Sequence, residues 1–157
     1  MGVRIFSQKK YNTDGFTLIE LILALLIIAI LAILAQVSYS SIMDKLKTNQ
    51  AISDLYLIDL QIERFKTENF ALPADLSSLD IPSKDPWGNA YKYLNFSLVK
   101  GKGKQRKDHN LVPINSDYDL YSSGPDGLSV SPLVAPQSQD DIIRANNGGF
   151  IGVAADY

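Results

Sequence analysis

The N-terminal third of the chain contains a long, uninterrupted apolar stretch. Positions 21–35 read LILALLIIAILAILA, and no side chain among them carries a polar atom. With Phe16, Leu18 and Ile19 the apolar stretch covers about 20 residues, which is roughly 30 Å as a helix and matches the hydrocarbon core of a bilayer. The pattern therefore predicts a membrane-spanning segment over residues 16–36.

The helical pattern continues beyond this stretch. Apolar residues recur three, four or six positions apart, with charged residues on the other faces, at Ile42, Leu46, Ile52, Leu55, Ile58, Ile62 and Phe65. Because no Pro or Gly occurs between Phe16 and Phe70, we expect one continuous helix over residues 16–70, roughly 80 Å long. Its second half is amphipathic, which indicates that this half lies on a globular domain.

Residues 71–84 read as a loop. Asn69 and Pro73 provide the signals that end the long helix. The sequence Asp-Pro-Trp-Gly at 85–88 then has the residues of a β-turn, with Pro suited to the second position and Gly to the fourth. Trp87 has the largest apolar side chain in this part of the chain, so we expect it in the core rather than against a ligand.

The rest of the C-terminal domain, residues 71–157, has the pattern of a small sheet. Strand candidates lie at 91–99, at 118–121 and at 150–153. The last of them follows an Asn-Asn-Gly-Gly turn signal at 146–149. We therefore expect an α+β fold in which the long helix packs on a small antiparallel β-sheet.

The composition excludes several kinds of functional site. The chain has 157 residues, a formal net charge of −2, one His and no Cys. Disulfides, thiol nucleophiles and thiolate metal sites are therefore excluded, and a single His does not support a His-rich site. The net charge argues against binding of nucleic acid. No nucleophile–base pair or phosphate loop is evident in the sequence, so we do not expect an enzyme.

A basic segment lies between the first two strand candidates, at residues 100–107, which read KGKGKQRK. It has two interpretations, an anion-binding patch or a solvated loop. Aromatic side chains for stacking on bases are missing from the segment, which favours the loop. We expect Lys102, Lys104 and Arg106 to be exposed and dispensable, because exposed loop charges contribute little to stability.

The N-terminal flank of the apolar stretch, residues 1–15, carries three cations and one acid. By the positive-inside rule this flank is cytoplasmic. A cleaved secretory signal peptide would need an A-x-A site after the apolar stretch, but Ala32 and Ala35 are one position too far apart for it.

Glu20 interrupts the apolar stretch. A carboxylate inside a membrane helix costs a few kcal/mol and indicates a function by default. A position near the helix N-terminus, where the helix dipole favours an anion, is the simpler explanation. Residues 15–20 read Gly-Phe-Thr-Leu-Ile-Glu behind a basic leader, and this pattern resembles the processing signal of type IV pilins and type II secretion pseudopilins.

The resemblance implies a type IV pilin-like fold and a set of processing steps. A prepilin peptidase would remove residues 1–15 by cutting after Gly15 and would methylate the new N-terminus, Phe16. Glu20 would pair with the N-terminal amine of a neighbouring subunit during assembly, with residues 16–36 as the filament core. Many members of the family have a Pro at the position of Val37, so the helix melting seen in family filaments is not carried over to this chain.

A second resemblance involves the C-terminal domain. The segments DPWGN at 85–89 and DLYSSGPDG at 119–127 resemble the major pseudopilin family of type II secretion systems. In that family a Ca²⁺ ion lies between the second segment and a following acidic stretch, which implies ligands from Ser123, Asp126, Ser138, Asp140 and Asp141. Hard oxygen ligands suit Ca²⁺. From the residues alone, an Asx-rich loop that caps its own turns remains the alternative.

Together the resemblances imply a structural subunit of a periplasmic pseudopilus that drives type II protein secretion. The implied partners are further copies of the chain, minor pseudopilins, the prepilin peptidase and an inner-membrane assembly platform. The subunit would cross the inner membrane once, with its C-terminal domain in the periplasm, before it enters the filament. One alternative is a type IV pilin of a surface pilus, which the lack of Cys disfavours, and another is a membrane-tethered calcium-binding module that never polymerises.

Overall fold

The structure is a computed structural model that describes residues 15–157, except for the side chains at 37 and 38. Helix α1 spans Leu18–Asn69. The continuous helix expected from the sequence is thereby confirmed. By its contacts the chain divides into two compact units after Ser41, and each unit is described by itself.

The first unit is the apolar part of α1. By length and composition this helix can cross a membrane, with a mean hydropathy of 3.2 over its most apolar 18-residue window. Leu21, Ile28 and Leu34 expose 58%, 61% and 60% of their surface. No described part of the chain covers this surface, so lipid or another molecule has to do so.

The second unit, Ile42–Tyr157, combines the rest of α1 with a four-stranded sheet. All neighbouring strands are antiparallel. In sheet order the strands are β1 (Lys92–Asn95), β2 (Tyr118–Ser122), β3 (Ile142–Ala145) and β4 (Phe150–Val153). Short 3-10 turns occur at Leu76–Ser78, Phe96–Leu98, Pro136–Ser138, Asn146–Gly148 and Ala154–Asp156. The predicted α+β fold, with one long helix and a small antiparallel sheet, is confirmed.

Strand β3 is absent from the sequence-based prediction, which has only three strands. All four residues of β3 are buried, because β3 is an inner strand and both faces of the sheet are covered. A strand of this kind shows no alternation of apolar and polar residues. The turn from β3 into β4 is as predicted, and Asn146, Asn147 and Gly148 adopt positive φ values there.

The core on one face of the sheet is formed by α1. The helix buries Ala51, Leu55, Ile58 and Ile62, which are spaced four, three and four residues apart along one side. They pack against Tyr91, Tyr118, Leu120, Ile142 and Ile151, and Trp87 packs against the same cluster while partly exposed. Ile42 and Leu46, also expected on the buried side, are exposed.

A second core lies on the opposite face of the sheet. Ile142 belongs to the helix-facing core and its neighbour Ile143 to the second one, since successive residues of a strand point to opposite faces. The other buried members of the second core are Ile114, Leu133, Ala145 and Ala154. The long loops between the strands therefore cover the face that the helix leaves open.

Candidate functional sites

The first candidate site is the start of α1, where Thr17 and Glu20 bond to each other. The Glu20 carboxylate accepts hydrogen bonds from the backbone N–H of Thr17 at 3.3 Å and from its hydroxyl at 3.2 Å. The backbone N–H of Glu20 donates to the Thr17 hydroxyl oxygen at 3.3 Å. This reciprocal pair is a capping box, which satisfies backbone groups that a helix end leaves free. The T-x-x-E spacing is its signal in the sequence, which the charge of Glu20 alone does not indicate.

The predicted cleavage position lies directly before this cap. Gly15 is exposed, and nothing described lies within 4 Å of the place where its Cβ would be. Phe16 is 86% exposed. No described residue therefore shields Gly15 or Phe16 from an enzyme. Residues 1–14 of the predicted leader lie outside the described part of the chain.

The second candidate site lies in the C-terminal domain, where the turn at 85–89 contacts the loop within 119–127. The Ser122 hydroxyl donates to the Asp85 carboxylate at 2.5 Å, and the Asn89 side-chain amide donates to the Gly124 carbonyl at 3.2 Å. The predicted β-turn is confirmed, since the Gly88 N–H donates to the Asp85 carbonyl at 3.0 Å. The turn thus holds the 122–124 part of the loop in place.

The same loop contacts the acidic stretch. The Asp126 N–H donates to the Asp140 carboxylate at 3.3 Å. Gly124 has a φ of +62°, and a Cβ at this residue would overlap the Asp140 carbonyl oxygen. Only glycine fits a positive φ and such a close approach without strain. The structure therefore brings the Ser123–Asp126 loop and Asp140 together, as the resemblance implies.

Two carboxylate oxygens at this place lack a partner. The Oδ1 atoms of Asp140 and Asp141 are buried and accept no hydrogen bond from the described residues. Unpaired buried carboxylate oxygens are costly and call for a cation or water. The Ser138 hydroxyl is bonded to the backbone N–H and carbonyl of Val130, at 2.9 and 2.8 Å, so only the main chain of Ser138 is free to serve as a ligand.

The donor set is small for a metal site. Within residues 15–157, no three His, Cys, Asp or Glu side chains converge on a common point. The Asp126 carboxylate accepts a hydrogen bond from the Leu128 N–H at 2.7 Å. A cation here would therefore rely on the free oxygens of Asp140 and Asp141 and on backbone carbonyls, which Ca²⁺ accepts as ligands.

Arg106 belongs to this site, which corrects the prediction that it is exposed. Its side chain is 3% exposed and donates to the Asp141 carboxylate at 2.5 Å. It also donates to the Ser129 hydroxyl, and its guanidinium lies 4.3 Å from the centre of the Tyr121 ring. Its backbone N–H donates to the Asp119 carboxylate at 2.7 Å. Arg106 thereby ties the basic segment to strand β2 and to the acidic stretch.

The residue type explains why Arg106 differs from its neighbours. Lys102 and Lys104 are exposed, as predicted. A guanidinium is planar, weakly hydrated and suited to buried ion pairs and aromatic faces, whereas an ammonium is strongly hydrated. A single Arg within a lysine-rich segment is the sequence signal that could have identified the buried residue.

Burial raises the pKa values of the acids around Arg106. It raises the pKa of Asp141 to about 6, against the opposing attraction of Arg106 and a hydrogen bond from Ser129. Burial also raises the pKa of Asp119, although bonds from Arg106 and Asn115 oppose the change. With Arg106 beside it Asp141 has a pKa of about 6, and loss of that positive charge would raise the pKa further.

A second buried arginine, Arg144 of β3, links the sheet to the helix. Its Nε donates to the Asp59 carboxylate of α1 at 2.5 Å, and its two terminal nitrogens donate to the Asp117 carboxylate at 2.9 and 3.0 Å. The guanidinium lies 3.8 Å from the centre of the Tyr118 ring, whose hydroxyl donates to Asp59 at 2.6 Å. The sequence analysis did not identify this cluster, because its members are far apart along the chain.

A family model matches the segment that contains the first candidate site. Residues 11–35 match the family model described as "Prokaryotic N-terminal methylation motif". This match includes the predicted cleavage and methylation positions, Gly15 and Phe16, and the capping acid Glu20. No solved structure matches the chain with significant similarity.

Similarity to curated proteins covers most of the chain. A protein from Klebsiella pneumoniae is 28% identical over 134 residues, covering 82% of this chain and 91% of that protein. One from Pectobacterium carotovorum is 24% identical, covering 90% of each chain. One from Pseudomonas aeruginosa is 30% identical over 142 residues, covering 76% of this chain and 89% of that protein. All three carry the name "Type II secretion system core protein G", and the chain belongs to this family of pseudopilins.

Proposed function

We propose that the protein is the structural subunit of a periplasmic pseudopilus that assembles by packing of its N-terminal helices and drives type II protein secretion. The observation that carries the proposal is the apolar surface of α1, which is exposed on every face yet belongs to the same helix as the folded domain. Before assembly, lipid would cover this surface. In a filament, the helices of other copies would take the place of lipid.

The proposal includes an orientation and a set of partners. The basic flank at residues 1–15 favours a cytoplasmic N-terminus, which puts the C-terminal domain in the periplasm. The prepilin peptidase would act on Gly15 and Phe16 at the exposed start of the helix. Minor pseudopilins and an inner-membrane assembly platform are the further partners that a growing pseudopilus would need.

Secretion in the source bacterium tests the function. Deletion of the gene should leave type II substrates in the periplasm, and the wild-type chain expressed in trans should return them to the medium. Surface pili should be unchanged. Loss of surface pili with normal secretion would contradict the proposal and would identify the protein as a type IV pilin.

Processing of the N-terminus is the first specific prediction. Co-expression with a prepilin peptidase should yield a chain that begins at Phe16 and carries one added methyl group, as measured by intact mass. Gly15→Leu should keep residues 1–15 attached, because a branched side chain replaces the small residue before the cut. A chain cut near Ala35, or one that is never cut, would contradict the proposed pathway.

We also propose a structural Ca²⁺ ion at the acidic stretch. The unpartnered Oδ1 atoms of Asp140 and Asp141 support the proposal, as does the contact between Asp140 and the 124–126 loop. Ser123, Asp126 and Ser138 would add further oxygens, from the backbone in the case of Ser123 and Ser138. When bound, the ion would supply a positive charge beside the unpartnered oxygens of Asp140 and Asp141 and would hold the two segments together.

Calcium should therefore stabilise the folded domain. At a hundredfold excess over its Kd, an ion that binds only the folded form contributes about 2.7 kcal/mol, which raises the melting temperature by on the order of ten degrees for a small domain. The full chain in detergent micelles can be followed through Trp87, the only Trp in the sequence. Asp140→Asn should remove most of the shift, and Asp80→Asn, a change of an exposed carboxylate, should leave it intact. Identical melting of the wild type in Ca²⁺ and in chelator would refute the site.

A further inference from the structure

Arg106 brings a positive charge to the place where the metal ion is proposed. Its guanidinium donates to the Oδ2 atom of Asp141, and the Oδ1 atom of the same carboxylate is one of the two that lack a partner. Asp141 is fully buried and Arg106 is 3% exposed. The arginine and the ion would therefore share one carboxylate, with one cation at each oxygen.

Several side chains hold the Arg106 guanidinium in this position. The Ser129 hydroxyl donates to the same Asp141 oxygen at 2.7 Å, and the Tyr121 ring lies against the guanidinium. The arginine thus joins the basic segment, strand β2 and the loop that leads to the acidic stretch. Disulfides, which would otherwise provide such a link, are impossible in a chain without Cys.

We propose that Arg106 is a resident cation of the acidic site, which neutralises Asp141 and lets the domain fold without calcium. The inference rests on the proposed Ca²⁺ site. With Arg106 in place, the ion adds stability mainly through Asp140. Without Arg106, the ion becomes the principal cation for both carboxylates.

Two consequences follow from the shared carboxylate. Two positive charges at one carboxylate repel each other, so Arg106 weakens calcium binding, and calcium in turn reduces the stabilisation that Arg106 provides. Removal of Arg106 should therefore destabilise the domain in chelator and tighten its binding of calcium. An arginine with a purely structural role would change stability equally with and without calcium.

The test compares wild type, Arg106→Gln and Lys104→Gln as full chains in detergent micelles, with Ca²⁺ or with chelator. Trp87 fluorescence gives the melting temperature, and calorimetry gives the Kd for Ca²⁺. Wild type should unfold cooperatively in chelator. At a Ca²⁺ concentration a hundredfold above the wild-type Kd, Arg106→Gln should show a roughly tenfold lower Kd and about one and a half times the wild-type thermal shift with calcium. Lys104→Gln removes the same charge from an exposed position of the same segment, and it should match wild type.

The outcomes separate this inference from the calcium proposal. Equal, non-zero shifts in wild type and Arg106→Gln would leave the calcium site standing and overturn the role of Arg106. Shifts of zero in all chains would refute the calcium site and the inference together. Non-cooperative unfolding of wild type in chelator would overturn the inference alone. If Arg106→Gln is unfolded in chelator, it is measured in saturating Ca²⁺, and failure of calcium to restore folding would overturn the inference.

Discussion

Arg144→Met should destabilise the C-terminal domain by about 3 kcal/mol, the low end of the range for breaking a buried ion pair, because it leaves two partly buried carboxylates without their cation. Arg144 is 2% exposed and pairs with Asp59 on the helix and Asp117 on the loop before β2. Methionine keeps most of the side-chain volume, so the loss comes from charge and hydrogen bonds rather than from a cavity. The variant removes one polar contact between the helix and the sheet and leaves the hydrogen bond from Tyr118 to Asp59.

Urea unfolding of the full chain in micelles, followed through Trp87, measures the effect. The midpoint should fall by on the order of 2 M, given the usual dependence of stability on urea concentration. Arg64→Met is the matched control, since Arg64 also pairs with an acid, Glu68, but both side chains are exposed. It should leave the midpoint unchanged. An Arg144→Met midpoint equal to that of the control would show that the buried cluster contributes nothing to stability.

The helix was predictable because its signal is local. Residues 16–70 contain an apolar stretch, a repeating amphipathic pattern and no helix breaker, and α1 follows them from Leu18 to Asn69. Strand β3 was not predictable in the same way. Its four residues are buried by elements that lie far away in the sequence, and an inner strand has no polar face to mark its period.

The candidate sites also differ in whether their signal in the sequence is local. The capping box of Thr17 and Glu20 spans four positions and can be found from its spacing. Arg106 and Asp141 are 35 positions apart, and Arg144 and Asp59 are 85 apart. Nothing local in the sequence indicates which acid each arginine meets, because the folded sheet decides it. The contact between the 123–126 loop and Asp140 was foreseen only through resemblance to a family.

Glu20 has two roles that substitution can separate, one within the chain and one between chains. Within the chain its carboxylate bonds to Thr17 and caps the helix. Between chains the proposed partner is the amine that cleavage creates on Phe16 of a neighbour. A glutamine at this position can still accept the capping hydrogen bond, but it carries no charge to offset a buried ammonium.

Glu20→Gln should therefore leave membrane insertion and the cap intact and abolish filament assembly. Thr17→Ala removes the cap at a cost of about 1 kcal/mol and keeps the charge, so it should still assemble. Both variants can be expressed with the prepilin peptidase and compared with wild type by membrane fractionation and by electron microscopy of sheared filaments. Normal filaments with Glu20→Gln would disprove the pairing role. Equal loss in both variants would show that assembly also requires the contact between Thr17 and Glu20, because Thr17→Ala keeps the charge.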